Sequence, residues 1–203
     1  TSAVDLAGAH RDCRMQMERI VAFLRRFVPG YEACYIISSA SLIGVRETRH
    51  FLGESTITRE DIENAVQHED WAVKEAHFNF DVHNMTGAGL DATGCQEKFT
   101  QKKGYTIPYG CLVPKQVEGL LLAGRDICGT HMAHASYRVM PICVKLGEAA
   151  GTAAAICTKE GICPRQVDVR KLQALLMAAE DVQREKAGNT GKGAGIEPEL
   201  TPV

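Results

Sequence analysis

Residues 120–126 read LLLAGRD, and residues 145–157 read KLGEAAGTAAAIC. The first stretch ends a continuous apolar run, 117–124, of the kind that forms a strand buried on both faces. The second is so rich in glycine and alanine that it presents almost no side chain. A buried strand that ends in glycine and leads to a helix of small residues predicts an edge that binds an anionic or polar cofactor. Close packing of the helix on a sheet is the alternative, because small residues permit that as well.

Two charged residues, Arg125 and Asp126, follow the apolar run directly. Charged side chains seldom lie beside a core without a partner, because desolvation of a charge is costly. A ligand that carries hydroxyl and phosphate groups would satisfy both of them. A salt bridge to a neighbouring loop is the alternative.

The composition is that of a globular protein. Of 203 residues, 45% are hydrophobic and 24% are charged, with a net charge of −2. This balance attracts neither nucleic acid nor an anionic membrane, so we expect neither as a partner. No uninterrupted apolar run reaches the roughly 18–20 residues of a membrane span, and charges occur early in the chain, so we expect a cytoplasmic protein. The eight cysteines include no CxxC pair, which argues against a zinc knuckle.

Hydrophobic periodicity and turn residues predict an α/β chain. The predicted elements are a helix over 3–28, a strand or a bent strand pair over 33–45, a helix over 59–76 with Thr58 as its N-cap, a strand over 77–84, a glycine-rich loop over 85–94, an edge strand over 104–114, the buried strand over 117–124, a helix from Pro141 to about Glu160, and a last helix over 169–186 capped by Asp168.

Two long stretches, 28–62 (VPGYEACYIISSASLIGVRETRHFLGESTITREDI) and 105–161 (from YTIPYGCLVP to GTAAAICTKEG), carry a family resemblance. Over roughly 10–176 the chain resembles the C-terminal half of the FAD-dependent oxidoreductase family related to glutathione-reductase-type flavoproteins. The resemblance implies an α/β fold with the closing strand and helix of an FAD-binding domain and a mixed-sheet substrate or cap domain. We expect an N-terminal helix over 1–30, the cap domain over 31–116, the FAD-binding part over 117–186 and a flexible tail over 187–203.

The resemblance also implies which residues contact FAD. The end of the strand would contact the ribityl or pyrophosphate part, and the GEAAGTAAA helix would point its N-terminus at the flavin ring and stabilise negative charge there. The implied cofactor-binding residues are Gly124, Arg125, Asp126, Glu148, Ala149, Ala150, Gly151 and Thr152. Whether Arg125 or Asp126 makes the ribityl contact stays open.

Three candidates for the chemistry, His131, His134 and Arg138, lie between the apolar run and the small-residue helix. HASYR (134–138) resembles the His-x-x-x-Arg element of succinate dehydrogenase and fumarate reductase flavoprotein subunits, whose arginine binds a substrate carboxylate. Arginine suits a planar carboxylate because it donates two parallel hydrogen bonds, and histidine can move a proton near neutral pH. A structural ion pair for Arg138 and hydrogen-bonded loop positions for both histidines are the alternatives.

Arg46 and Arg49 follow the predicted strand over 33–45 and are candidates for the substrate or flavin side. Surface salt bridges to Glu47 or Glu54 are the other interpretation.

One family motif does not occur in this chain. The family's N-terminal half has a strand, GxGxxG and a helix that bind the ADP pyrophosphate, whereas GKGAG at 191–195 and GAGLDATG at 87–94 lack that context. We therefore expect a fragment or one subunit of a split enzyme, which binds FAD weakly or not at all without its missing N-terminal half. The parent would transfer hydride between FAD and a small polar or carboxylated substrate, with a homo-oligomer possible. The alternatives are a non-catalytic packing or dimerisation domain and, because its architecture is related, a tRNA-modifying flavoprotein.

Overall fold

The computed structural model describes residues 2–82, 101 and 103–190, and the chain divides into two compact units, Thr1–Thr48 and Arg49–Val203. The boundary falls within 31–116, the segment predicted as a cap domain. Each unit is described by itself.

The first unit is built on one long helix, α1, Ala3–Phe27. Ser2 and Asp5 form a capping box at its start, in which each side chain accepts a hydrogen bond from the other residue's backbone N–H at 3.1 Å. The helix ends at Val28, directly before the predicted stop at Pro29 and Gly30. The prediction of a helix over 3–28 is confirmed.

The predicted strand over 33–45 is wrong, because these residues form no strand in the structure. Their hydrogen bonds go to α1 instead. Arg14 donates to Ser39 Oγ at 2.6 Å, and Arg25 donates to the carbonyl oxygen of Cys34 at 2.8 Å. The side chain of Ile37 is 88% exposed, so the apolar character that predicted a strand is not used for burial here.

The second unit packs helices around a two-stranded antiparallel sheet. Its elements are α2 (Arg59–Glu63), β1 (Trp71–Ala76), β2 (Tyr105–Pro108), a 3-10 helix (Tyr109–Leu112), α3 (His131–Tyr137), α4 (Met140–Glu160), a second 3-10 helix (Pro164–Gln166) and α5 (Val169–Thr190).

The predicted helix over 59–76 is wrong beyond its first turns. Thr58 and Asp61 form the capping box that the sequence indicated, but α2 ends at Glu63. Ala65 then adopts a left-handed conformation with φ 50°, which stops the helix. Trp71–Ala76 is strand β1, because its pairing with β2 and its burial against α4 and α5 override the helical propensity of its alanine, lysine and glutamate.

The predicted strand over 77–84 is also wrong for the residues that the structure describes, 77–82. Their backbone bonds to α3 rather than to a strand: the carbonyl oxygen of Phe78 accepts from Ser136 Oγ at 2.7 Å, and the N–H of Asp81 donates to Ala135 at 3.3 Å. Residues 83–84 and the predicted loop over 85–94 lie outside the described residues.

The two predictions between 104 and 124 fare differently. The edge strand over 104–114 is right only for Tyr105–Pro108, after which a 3-10 helix follows. The buried strand over 117–124 is wrong, since these residues form no strand, and Val117 and Leu120 are 50% and 40% exposed. Gly119 and Gly124 both have positive φ, and no described strand lies beside them to supply ladder hydrogen bonds. Within the described residues the sheet consists of the β1–β2 pair.

The two C-terminal helices agree with prediction. α4 has Pro141 in its first turn, and Asp168 Oδ1 accepts from the backbone N–H of Arg170 at 2.9 Å as the cap of α5. α5 extends to Thr190, into the segment predicted as a tail. Within the described residues, α4 is the one helix that could cross a membrane by length and composition alone, but core helices of soluble proteins pass the same test. Leu146, Ala149 and Ala153 of α4 are fully buried.

Candidate functional site

The turn that contains Gly124, Arg125 and Asp126 carries two charges that act on Cys143, in the first turn of α4. Burial raises the pKa of Cys143, a half-buried residue of that turn, while the positive charge of Arg125 lowers it and the negative charge of Asp126 raises it. Both charges thus act on the Cys143 thiol through space. That this turn and the small-residue helix form one cofactor site stays a prediction.

Gly124 supplies the conformation of the turn. Its φ is 89°, which side chains other than glycine rarely adopt, and a Cβ built on it would meet no atom within 4 Å. Arg125 is exposed and Asp126 is partly exposed. The turn thus leaves the backbone bare at Gly124 and carries two opposite charges.

Helix α3 is held in place by hydrogen bonds from consecutive side chains. Thr130 caps its start by accepting from the N–H of Ala133. Ser136 Oγ lies 2.9 Å from the hydroxyl of Tyr105 and donates to the carbonyl oxygen of Phe78. Burial raises the pKa of Tyr105 far above its usual range. Tyr137 donates its hydroxyl to the carbonyl oxygen of Ile127 at 3.2 Å. These contacts fix both ends of the segment that carries the predicted catalytic residues.

The two predicted histidines occupy different environments. His131 is the first residue of α3 and is exposed. His134 is only 2% exposed, and its ring lies edge-on to the rings of His50, at 5.1 Å between centroids, and Tyr137, at 5.4 Å. A group this deeply buried does not reach a molecule bound at the surface. His131 is therefore the better placed of the two for proton transfer to such a molecule.

Arg138 forms an ion pair with Asp81. Its Nη2 donates to Asp81 Oδ2 at 2.7 Å and to the backbone carbonyl oxygen of Asp81 at 2.9 Å. The side chain of Arg138 is 14% exposed and that of Asp81 is 29% exposed. Sequence reasoning treated such a pair as the alternative to substrate binding. It gave Asp81 no role, because a single aspartate in an apolar stretch carries no motif.

The predicted contact residues of α4 do not share one surface. Successive residues of an α-helix are about 100° apart, so 148–152 point in several directions. Ala149 is fully buried, whereas Gly151 is exposed. Thr152 donates its hydroxyl to the carbonyl oxygen of Glu148 at 2.8 Å, and the Glu148 carboxylate pairs with Lys145 at 2.9 Å.

The start of α4 also differs from the family expectation. The helix begins at Met140, so Glu148 lies about 12 Å along its axis from the first residue. The expectation that the GEAAGTAAA segment forms a helix N-terminus is therefore wrong. The N-terminal turn, with no side-chain cap, belongs to Met140–Cys143.

One side of α4 is open to solvent. A Cβ at Gly147 or Gly151 would meet no atom within 4 Å, and the apolar side chains of Met140 and Val144 are 82% and 67% exposed. We call these four residues the open face. Their spacing of four, three and four residues places them along one side of the helix. Such a face accommodates a flat ring or another polypeptide segment at close range.

The two arginines predicted for the substrate or flavin side are exposed. Arg46 belongs to the first unit and Arg49 to the second. Neither forms a hydrogen bond or ion pair with another residue in the described part of the chain, and Glu54, one suggested partner, pairs with Arg165.

The charged turn exposes a bare backbone at Gly124, and the open face leaves free space above Gly147 and Gly151. Residues 1–176 match the model of the FAD dependent oxidoreductase family, and the chain belongs to that family. FAD is accordingly the cofactor of its family, and oxidation–reduction its chemistry. No curated protein and no solved structure matches the chain.

Proposed function

We propose that this chain supplies the flavin-side wall of an oxidoreductase that transfers hydride between FAD and a small polar or carboxylated substrate. The observation that carries this proposal is the open face of α4, where a Cβ at Gly147 or Gly151 would meet no atom within 4 Å. Bound FAD supplies the site that accepts or donates the hydride.

The residues proposed to hold FAD belong to two groups. Gly124, Arg125 and Asp126 contact the polar ribityl or pyrophosphate part, because they offer a bare backbone and both charges. Gly151, with its neighbour Gly147, lies along the ring. Of the other residues that the resemblance implied, Ala150 is partly exposed, while Ala149 acts only as packing beneath the open face.

Arg138 is proposed to orient the substrate carboxylate. Among the described residues its side-chain hydrogen bonds come from Nη2 alone, both to Asp81, so Nε and Nη1 are available as donors. Asp81 would hold the guanidinium in a fixed plane while those donors bind the substrate. His131 would exchange the proton that accompanies hydride transfer.

The ADP part of FAD needs a glycine-rich phosphate loop, and this chain has no GxGxxG after a strand. We propose that another segment or subunit supplies it, and that this chain alone binds FAD weakly or not at all. The run at 117–124 supports this, because Val117 and Leu120 are exposed and no strand among the described residues pairs with it.

Co-expression tests the proposal. The chain is purified alone and together with the coding sequence upstream of Thr1 or, where the partner is a separate subunit, with the adjacent gene that encodes GxGxxG. Protein-bound flavin absorbance is then recorded. We expect flavin with the pair and little with the chain alone. A stable pair without bound flavin would refute the assignment.

The open face also favours a second candidate, a packing or dimerisation surface without a cofactor, because Met140 and Val144 are so exposed. Sedimentation of the chain separates the two. The second candidate would be supported if the chain formed concentration-dependent dimers, if Val144→Lys abolished them, and if the protein bound no FAD.

A further inference from the structure

A cleft of about 520 Å³ opens at the C-terminal end of α4, and two cysteines, Cys157 and Cys163, line it. The helix ends at Glu160, and Gly161 follows in the left-handed conformation with φ 66°. The N–H of Ile162 then donates back to the carbonyl oxygen of Cys157 at 3.1 Å. This reversal brings Cys163 back towards the last turn of the helix.

The two thiols differ in exposure and influence each other. Cys163 is exposed and Cys157 is partly buried, and both are free thiols. Burial raises the pKa of Cys157, a backbone hydrogen bond opposes the rise, and negative charge on Cys163 adds to it. Both residues also line the same cleft. In the sequence they are six residues apart and form no recognised motif, so a search for cysteine motifs does not find this pair.

We propose that Cys157 and Cys163 form a peroxide-sensitive dithiol that closes to an intramolecular disulfide. The exposed Cys163 thiolate attacks hydrogen peroxide, the O–O bond breaks, and a sulfenic acid and hydroxide are formed. The sulfur of Cys157 then attacks the sulfenic sulfur, and the S–S bond replaces the S–O bond. In total two thiols and one peroxide give one disulfide and two waters. Cys157 serves as the resolving thiol because it is less accessible.

The disulfide would tie the segment after Gly161 to the helix. That segment is also held by the hydroxyl of Tyr109, which donates to the carbonyl oxygen of Pro164 at 2.9 Å. The opposite wall of the cleft comes from Gly119 and Leu121 of the apolar run. Oxidation therefore fixes one wall of a cleft whose other wall precedes the charged turn. This proposal does not depend on flavin binding.

Peptide mapping tests it directly. The folded full chain is treated with hydrogen peroxide at low protein concentration, remaining thiols are alkylated, and the protein is digested with trypsin. Cleavage after Lys145, Lys159 and Arg165 places Cys157 alone in peptide 146–159 and Cys163 alone in peptide 160–165. We expect these two peptides to be linked, with a mass 2 Da below their sum, as the main disulfide product.

Variants and a denatured control decide the result. In Cys157→Ser, dimedone should label Cys163, because the sulfenic acid is no longer resolved, whereas Cys143→Ser should form the same linked peptides as the native chain. In urea the link should form at least fivefold more slowly. If Cys157 stays reduced while Cys163 is oxidised, or if urea leaves the rate unchanged, the proposal is wrong.

Discussion

Arg138 and Asp81 form an ion pair in which one guanidinium nitrogen, Nη2, donates to the carboxylate at 2.7 Å and to the backbone carbonyl oxygen of the same aspartate at 2.9 Å. The pair joins the end of α3 to the irregular segment 77–82. Because both side chains are mostly removed from solvent, the loss of one partner leaves the other poorly solvated. The best candidate for substrate binding is thus also a structural contact.

Asp81→Ala should lower the free energy of unfolding by about 1–3 kcal/mol, since it leaves the Arg138 guanidinium without its carboxylate partner. Urea unfolding of the purified chain measures this. The control is Asp12→Ala, which removes an exposed ion pair, since the side chain of Asp12 is 54% exposed and that of Arg11 is 75% exposed. This substitution should lower the free energy of unfolding by less than about 0.5 kcal/mol. Equal costs for the two variants would contradict the buried ion pair.

Substitution of two glycines by alanine should have opposite effects. A Cβ at Gly129 would lie 2.6 Å from Cε1 of Tyr137 and 2.9 Å from Cγ2 of Ile57, so Gly129→Ala should destabilise the chain by about 1–3 kcal/mol. Gly147 lies in open space within α4, and Gly147→Ala should stabilise it by about 0.5–1 kcal/mol. Thermal melts compare them, and a Gly147→Ala variant that melts earlier would show that the open face is covered.

The network around Glu180 predicts a loss of stability in acid. Burial raises the pKa of Glu180, but hydrogen bonds from Lys74 and Lys145 outweigh it, and the net pKa lies below the usual 4.5. A lowered folded-state pKa stabilises the fold above pH 4.5, and this contribution is lost as the pH falls through the folded value. Glu180→Gln should therefore cost about 0.5–1 kcal/mol at pH 7 and nothing at pH 2.

The matched control for that experiment is Glu185→Gln, also on α5, whose side chain is exposed and forms no ion pair within the described residues. Denaturation curves at the two pH values compare both variants. A Glu180→Gln effect that is the same at pH 7 and pH 2 would mean that the charge of Glu180 is not what stabilises the fold.

Local signals predicted the helices better than the strands. The capping boxes at Ser2 and Thr58 and the proline at 141 mark helix starts that the structure has, because these contacts lie within one turn of the chain. β1 and the run at 117–124 were mispredicted because strand formation depends on partners distant in sequence. Trp71–Ala76 pairs with β2, whereas the run at 117–124 has no described strand beside it.

Sequence reasoning placed the charged turn and the small-residue helix in one cofactor site, and this stays a prediction. It could not distinguish His131 from His134, because burial depends on His50 and Tyr137 from other parts of the fold. Nor could it find Asp81 as the partner of Arg138, 57 residues away. The family assignment came from several ordered motifs, and the match over 1–176 confirms it.

FAD affinity of the Gly151→Leu variant tests the central claim, that the open face of α4 lies against the flavin. The protein is the chain combined with its GxGxxG segment, and the affinity is measured by quenching of flavin fluorescence. The matched control is Gly8→Leu on α1, where a Cβ also meets no atom within 4 Å. We predict that Gly151→Leu weakens FAD binding at least tenfold without lowering the melting temperature of the chain, and that Gly8→Leu leaves both unchanged. Equal FAD affinity for the two variants would contradict the account.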